Sequence, residues 1–175
     1  MNLKPLRGLV LITRENPEEF IGRIVVPEAY RKYSWRAKIE SCGDDVVGLT
    51  VGDEILYLRD KTVLPFKERH LALTNSRDVI AKIGVERDCE IILPLNDFVL
   101  IRLDENKQDG FKLFEKHTEH TVVSGTVLRV GSGCTDVKPQ MRVWFKTAKF
   151  LKCREDSEEL FLIRENEIEL FEEKA

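Results

Sequence analysis

The sequence is short of most features that announce a function. No apolar run approaches the eighteen or so residues of a membrane-spanning helix. The opening Met1-Asn2-Leu3-Lys4-Pro5-Leu6-Arg7-Gly8 has no apolar signal-peptide segment, so the expected compartment is the cytosol, or an organelle stroma if the chain is a mature form. Aromatic content is low, 8%, and net charge is only −3 over 175 residues. Residues 1–87 carry 15 basic and 13 acidic side chains, and 88–175 carry 13 and 18. Neither half has the positive excess of a dedicated nucleic-acid binder. The four cysteines (Cys42, Cys89, Cys134, Cys153) are scattered without a CxxC pair, which gives no support for a disulfide framework and points to reduced, partly buried thiols.

Motifs of catalysis are missing as well. Gly131-Ser132-Gly133 lacks the third glycine and the following helix of a dinucleotide fingerprint. No nucleophile elbow accompanies the serines. His117 and His120 form HxxH, but no further ligand stands at zinc spacing, so they read as surface histidines. No enzymatic activity, no metal and no cofactor of its own are expected.

What the chain does have is 42% apolar and 34% charged residues, enough for a packed core, and an internal repeat of 88 or 89 positions. Lys4-Pro5-Leu6-Arg7-Gly8-Leu9-Val10-Leu11-Ile12 aligns with Leu93-Pro94-Leu95-Asn96-Asp97-Phe98-Val99-Leu100-Ile101. Arg36-Ala37-Lys38-Ile39 aligns with Ser124-Gly125-Thr126-Val127, and Ile55-Leu56-Tyr57 with Val143-Trp144-Phe145. His70 to Ile80 aligns with Glu159 to Glu169. Two domains are expected, 1–87 and 88–175, with a short linker near Gly84 to Ile91.

Each half reads as strands. Leu9 to Thr13, Ile55 to Leu58 and Phe98 to Ile101 are short, rich in branched or aromatic residues, and bounded by turn formers. Tyr33, Trp35, Ala37 and Ile39 alternate with Lys32, Ser34, Arg36 and Lys38, which predicts one apolar and one basic face. Helix candidates are short, near Ser76 to Ala81 and at the C-terminus. The fold class is therefore all-β, as two tandem small barrels.

One stretch fits this grammar badly. Gly22-Arg23-Ile24-Val25-Val26-Pro27-Glu28 sets three branched apolar residues between polar flanks. It reads either as a core strand or as a hydrophobic hook held out for a partner. Gly22 permits unusual backbone angles and Pro27 fixes one side, features suited to a hook.

Taken in order, Pro5-Leu6, the strand to Arg14, the loop with Gly22 to Glu28, the Val51-Gly52-Asp53 turn and Asp78-Val79-Ile80-Ala81 resemble the GroES-type co-chaperonins. The second half repeats the order and closes on Glu158 to Ile168. The resemblance covers nearly the whole chain twice, as in tandem two-domain members of that family. It implies two GroES-like β-barrels, each with a mobile loop (about 15–35 and 103–123). It also implies a ring-shaped lid that caps an Hsp60-type chaperonin when ATP is bound to that partner, enclosing a folding client. The chaperonin-binding residues would be Gly22, Ile24, Val25 and Val26 in the first loop, and Gly110, Phe111 and Leu113 in the second, where Lys112 replaces the middle apolar residue. Weak contacts from several loops would add by avidity. Whole two-domain chains give an even number of domains, against the sevenfold rings of single-domain members, so a homo-oligomeric or a mixed ring is implied.

Departures from the family pattern are local. Gly52-Asp53 becomes Gln140-Met141, and the connections Ile39 to Val51 and Val130 to Pro139 are short, which implies a reduced roof. Two other classes stand beside this reading. One is a structural ring or adaptor that has lost chaperonin binding. The other is a weak single-stranded nucleic-acid binder using Tyr30 to Lys38, where basic residues interleave with aromatics.

Overall fold

The computed structural model describes residues 3–15, 20–21, 24–25, 35–58, 64–66, 70–104, 122–146, 151–155 and 158–172. These residues form strands, turns and two single 3-10 turns, with no α-helix among them. The chain divides into two compact units, residues 1–83 and 84–175.

The first unit holds β1 (Leu9–Arg14), β2 (Phe20–Ile21), β3 (Ile24–Val25), β4 (Arg36–Cys42), β5 (Glu54–Tyr57), β6 (Leu64–Phe66), β7 (Leu71–Asn75) and the start of β8 (Val79–Glu86). The second holds the end of β8, then β9 (Cys89–Pro94), β10 (Phe98–Leu103), β11 (Val122–Val130), β12 (Arg142–Lys146), β13 (Leu151–Glu155), β14 (Glu158–Arg164) and β15 (Ile168–Glu172).

Strand order is the same in both. The first sheet runs β6-β7-β1-β4-β5-β8, continued by β9, and the second runs β13-β14-β10-β11-β12-β15. The ladders among the described residues are all antiparallel. Even the irregularities recur. The β1–β4 ladder slips between Leu11 and Ile12, and the β10–β11 ladder between Leu100 and Ile101. A second slip lies between Leu56 and Tyr57, matched by one between Trp144 and Phe145. Such bulges bend a strand and increase its twist, so the two sheets curl at equivalent places.

Barrel closure was expected, and the described residues form open sheets instead. No described ladder joins β6 to β8, or β13 to β15. The edges explain why. β6 has three residues with Pro65 at its centre, a residue without an amide hydrogen to donate. β13 carries Lys152, Arg154 and Glu155, charges of the kind that blunt an edge.

Curling still produces a core. In the second unit Val99, Ile101, Val127, Val143, Phe145 and Ile163 come together from β10, β11, β12 and β14, with Val137 from the loop between β11 and β12. In the first, Val10, Ile12, Ile39, Ile55 and Tyr57 are buried from β1, β4 and β5. Alternation predicts the β4 side chains correctly: Ala37 and Ile39 are buried while Lys38 and Glu40 are exposed. The strand starts at Arg36 rather than earlier, with Trp35 half-buried before it and Tyr33 outside the described residues.

Two expectations are corrected. The helix candidate at Ser76 to Ala81 is one 3-10 turn, Ser76–Asp78, which the Asn75 side chain caps by accepting from the Arg77 amide at 3.0 Å. Val79 and Ile80, branched at Cβ, then continue as strand β8. The C-terminal candidate is likewise a 3-10 turn, Glu165–Glu167, followed by β15. Nor is the segment from Gly84 to Ile91 a plain linker. It contains the end of β8, a two-residue turn and the start of β9. Arg87 and Asp88 both have positive φ, 52° and 65°, as a tight hairpin turn of that length requires.

Candidate functional site

In each unit the segment carrying the expected docking residues leaves one strand and returns in its antiparallel neighbour. In the first, β1 leads out and β4 leads back, with Thr13 opposite Lys38 and Arg14 opposite Ala37. In the second, β10 and β11 do the same, with Arg102 opposite Thr126 and Leu103 opposite Gly125. The two ends of each segment are thus held side by side.

Each stem is also anchored by charge. Arg36 on β4 is paired with Glu54 on β5 and lies 3.7 Å from Glu15, the last described residue before the first segment. Trp35, at the return, accepts a hydrogen bond on its carbonyl from the Tyr57 amide at 2.9 Å. In the second unit the anchor is Asp104. Its carboxylate accepts from Ser124 Oγ at 2.8 Å, Thr126 Oγ1 at 3.2 Å and Arg142 Nε at 2.7 Å, and its amide donates to the Ser124 carbonyl. Burial works to raise the Asp104 carboxyl, but the Ser124 and Arg142 hydrogen bonds and the guanidinium charge outweigh it and hold the group below its ordinary range. Arg142 in turn lies over the Trp144 ring, 5.2 Å from its centroid.

Among the expected docking residues, Ile24 and Val25 fall within the described structure. They form β3, paired antiparallel with β2: Phe20 stands opposite Val25 and Ile21 opposite Ile24. This ribbon is a separate two-stranded sheet, with no ladder to the larger sheet of its unit among the described residues. Ile24 and Val25 are therefore not strand members of the main sheet. Gly22, Val26, Gly110, Phe111 and Leu113 lie outside the described residues, as do His117 and His120.

Phe20 and Ile21 were not singled out by the sequence reading. They follow Glu18-Glu19, and two residues are too few for any periodicity to show. Their signal is their pairing with Ile24 and Val25.

The remaining chemistry is structural. Gly131 packs where a side chain would collide with the backbone of Leu95 and Asn96, so the Gly131-Ser132-Gly133 stretch serves a tight loop. None of the four cysteines is joined in a disulfide, and all are half-buried. Burial, with the negative charge of Glu155, pushes the Cys153 thiol up to about 12. Burial and Glu165 push Cys134 up to about 11. Among the described residues no three His, Cys, Asp or Glu side chains gather as metal ligands, and no helix is long and apolar enough to cross a membrane.

No protein-family model matches the chain. A search of curated proteins finds no relative either.

Proposed function

We propose that this chain is a tandem, non-enzymatic co-chaperonin with two GroES-like units, and that it caps an Hsp60-type chaperonin ring and assists folding of an enclosed client. ATP acts through the chaperonin partner, and the chain carries no cofactor of its own. The observation that carries the reading is the ribbon at Phe20–Ile21 and Ile24–Val25, set apart from the main sheet between two anchored, adjacent stems. An apolar segment kept out of its own sheet has its burial available for a partner. The repeated strand order, with both bulges repeated, supports assigning the same kind of unit to both halves. No strand forms between Gly43 and Asp53 or between Gly131 and Met141, which fits a lid with a reduced roof.

The nucleic-acid alternative is weakened at its own residues. Arg36, central to the basic stretch, is engaged with Glu54 and Glu15, and an engaged guanidinium is a poorer phosphate ligand.

Co-sedimentation with an Hsp60-type chaperonin ring, with and without ATP or a non-hydrolysable analogue, tests the proposal. Binding is expected only with nucleotide, with Ile24→Ser abolishing it and Leu113→Ser weakening it if the second loop takes part. Absence of native binding to several such rings would sink the co-chaperonin reading and favour the structural ring.

A further inference from the structure

The loop between β4 and β5 and the loop between β11 and β12 are held alike at both ends. Gly43 donates to the Leu9 carbonyl at 2.9 Å, and Gly131 to the Phe98 carbonyl at 2.8 Å. Val46 donates to Gly43, and Cys134 to Gly131. At the far end Asp53 donates to Thr50, and Met141 to Lys138. Each loop buries one apolar residue between these points, Leu49 at 7% exposure and Val137 at 3%. This register matches Val47, Gly48 and Leu49 with Thr135, Asp136 and Val137. In the second unit those three amides all donate to the Glu165 carboxylate, at 2.9 to 3.0 Å. The residue that matches Glu165 is Ser76. Each opens a 3-10 turn, and each donates its amide at 2.8 Å, Ser76 to Gly8 and Glu165 to Asp97. The serine brings no anion. Among the described residues the amides of Val47, Gly48 and Leu49 have no acceptor, and an unpaired amide on a residue as buried as Leu49 is rare.

We infer that the first-unit loop at 47–49 is a binding site for a carboxylate, supplied by an acidic side chain within an apolar segment of a partner polypeptide. The second unit shows what these three amides take, since a carboxylate of the chain itself sits on them there. A partner polypeptide suits the first loop because Val47 and Val51, in the same loop, are 92% and 67% exposed and offer apolar contact beside the amides. The loop's own acids are engaged elsewhere: Asp44 pairs with Lys4 at 2.6 Å, and Asp45 accepts from the Gly8 amide at 2.6 Å. Gly48 stands at φ 80°, whereas Asp136 at the matching position is not left-handed. Gathering the three amides on one carboxylate as in the second unit therefore turns Gly48, a move that glycine makes without steric cost. The site is independent of the co-chaperonin reading and of the segments that carry it.

The test is amide NMR of the full-length chain, titrated with a blocked leucine-glutamate-leucine tripeptide, its glutamine counterpart and acetate. The amides of Val47, Gly48 and Leu49 should shift and saturate with the glutamate peptide. Acetate should bind about tenfold more weakly, and the glutamine peptide should leave the three amides unmoved. Ser76→Glu places a carboxylate where Glu165 stands in the second unit. In that variant the same amides should shift without ligand, and the apparent affinity for the glutamate peptide should fall by about tenfold or more, because an internal carboxylate competes at high effective concentration. Glu165→Ala should transfer the peptide response to Thr135, Asp136 and Val137, with thermal melting to confirm that the unit keeps its fold. No response to the glutamate peptide, an equal response to the glutamine peptide, or a response unchanged by Ser76→Glu would each overturn the carboxylate site. Acetate binding as tightly as the glutamate peptide would overturn the polypeptide ligand in favour of a free carboxylate.

Discussion

The two units share a strand order and two bulges, yet they hold equivalent places with different chemistry. At the first stem an arginine on β4 meets Glu15 and Glu54. At the second an arginine on β12 meets Asp104, with Ser124 in the place of Arg36. The turn before β5 places Gly52 at φ 92°, and the turn before β12 places Gln140 at φ 74°. Both make the same hydrogen bond, from the turn amide to Ile39 or Val127, at 2.8 Å. In the second unit the Glu165 carboxylate gathers the amides of Thr135, Asp136 and Val137, while Val47, in the matching loop of the first, is 92% exposed. The lesson is that backbone geometry is the repeated quantity here. Side chains are one of several ways to satisfy it.

The largest expected difference between the units lies at Gly125. A Cβ there would stand 2.5 Å from Ile101 Cγ2 and 2.7 Å from the Arg102 carbonyl, whereas the first unit holds Ala37 at the matching position, buried. Gly125→Ala should destabilise the second unit by about 3 kcal/mol, the upper end of overpacking costs. The chain has two tryptophans, Trp35 in the first unit and Trp144 in the second. Denaturant titration of Trp35→Phe and Trp144→Phe backgrounds reads each unit separately. An equal shift of both transitions would contradict the separation.

Next comes Glu155. It pairs with Arg129 at 2.7 Å and accepts the Ile92 amide at 3.0 Å, while Arg129 Nη1 donates to the Ile92 carbonyl at 3.3 Å. This holds β9 onto the second unit, and the first has Ser41 at the place of Arg129. Glu155→Ala should cost about 2 kcal/mol, since it leaves a partly buried guanidinium and an amide without their acceptor. Faster hydrogen exchange at Ile92 would report it.

Acid sharpens the contrast. Desolvation raises Asp104, Glu155 and Glu165, but hydrogen bonds, joined by an arginine charge at Asp104 and Glu155, bring each below its ordinary value. In the first unit Asp53 is depressed, by Lys82 and Thr50 against its own burial. A carboxyl depressed in the folded state contributes stability that is whole above its unfolded pKa, about 4, and is lost as pH falls through the folded value. Lowering pH below about 4 should therefore cost the Trp144 unit more stability than the Trp35 unit, read as the larger drop in denaturant midpoint. The reverse order would break this account.

The smallest effect is at the turns. Gln140→Gly removes a left-handed non-glycine residue and should stabilise by about 1 kcal/mol, and Gly52→Ala should cost a similar amount. Thermal melting of the two single variants checks both signs.

Much of this was legible in the sequence. The period of the repeat, the burial of Ala37 and Ile39, and the strands at Leu9, Ile55 and Phe98 follow from alternation and turn residues. What was missed has physical reasons. Val79 to Glu86 is a strand because β-branched residues follow a single polar turn, and the polar turn suggested a helix start. Gly84 to Ile91 read as linker because Arg87-Asp88 carries neither the glycine nor the asparagine that usually mark a hairpin. Phe20 and Ile21 are defined by what stands opposite them, and a linear sequence does not display a partner strand. Barrel closure depends on edge pairing, which Pro65 and the charged β13 oppose.

The repeated bulges also set a reading frame. The offset between repeats is 89 on the strand entering the loop (Leu11 to Leu100) and 88 on the strand leaving it (Ile39 to Val127). One position has dropped out between the two stems of the second unit. Counted from the entering strand, Ile24-Val25-Val26 corresponds to Leu113-Phe114-Glu115; counted from the leaving strand, to Lys112-Leu113-Phe114. Leu113 and Phe114 fall inside the triplet by either count, and Phe111 by neither. On the proposed co-chaperonin reading, this frame makes Phe111→Ser the variant to set beside Leu113→Ser, since the two counts agree on Leu113 and disagree with the expected place of Phe111.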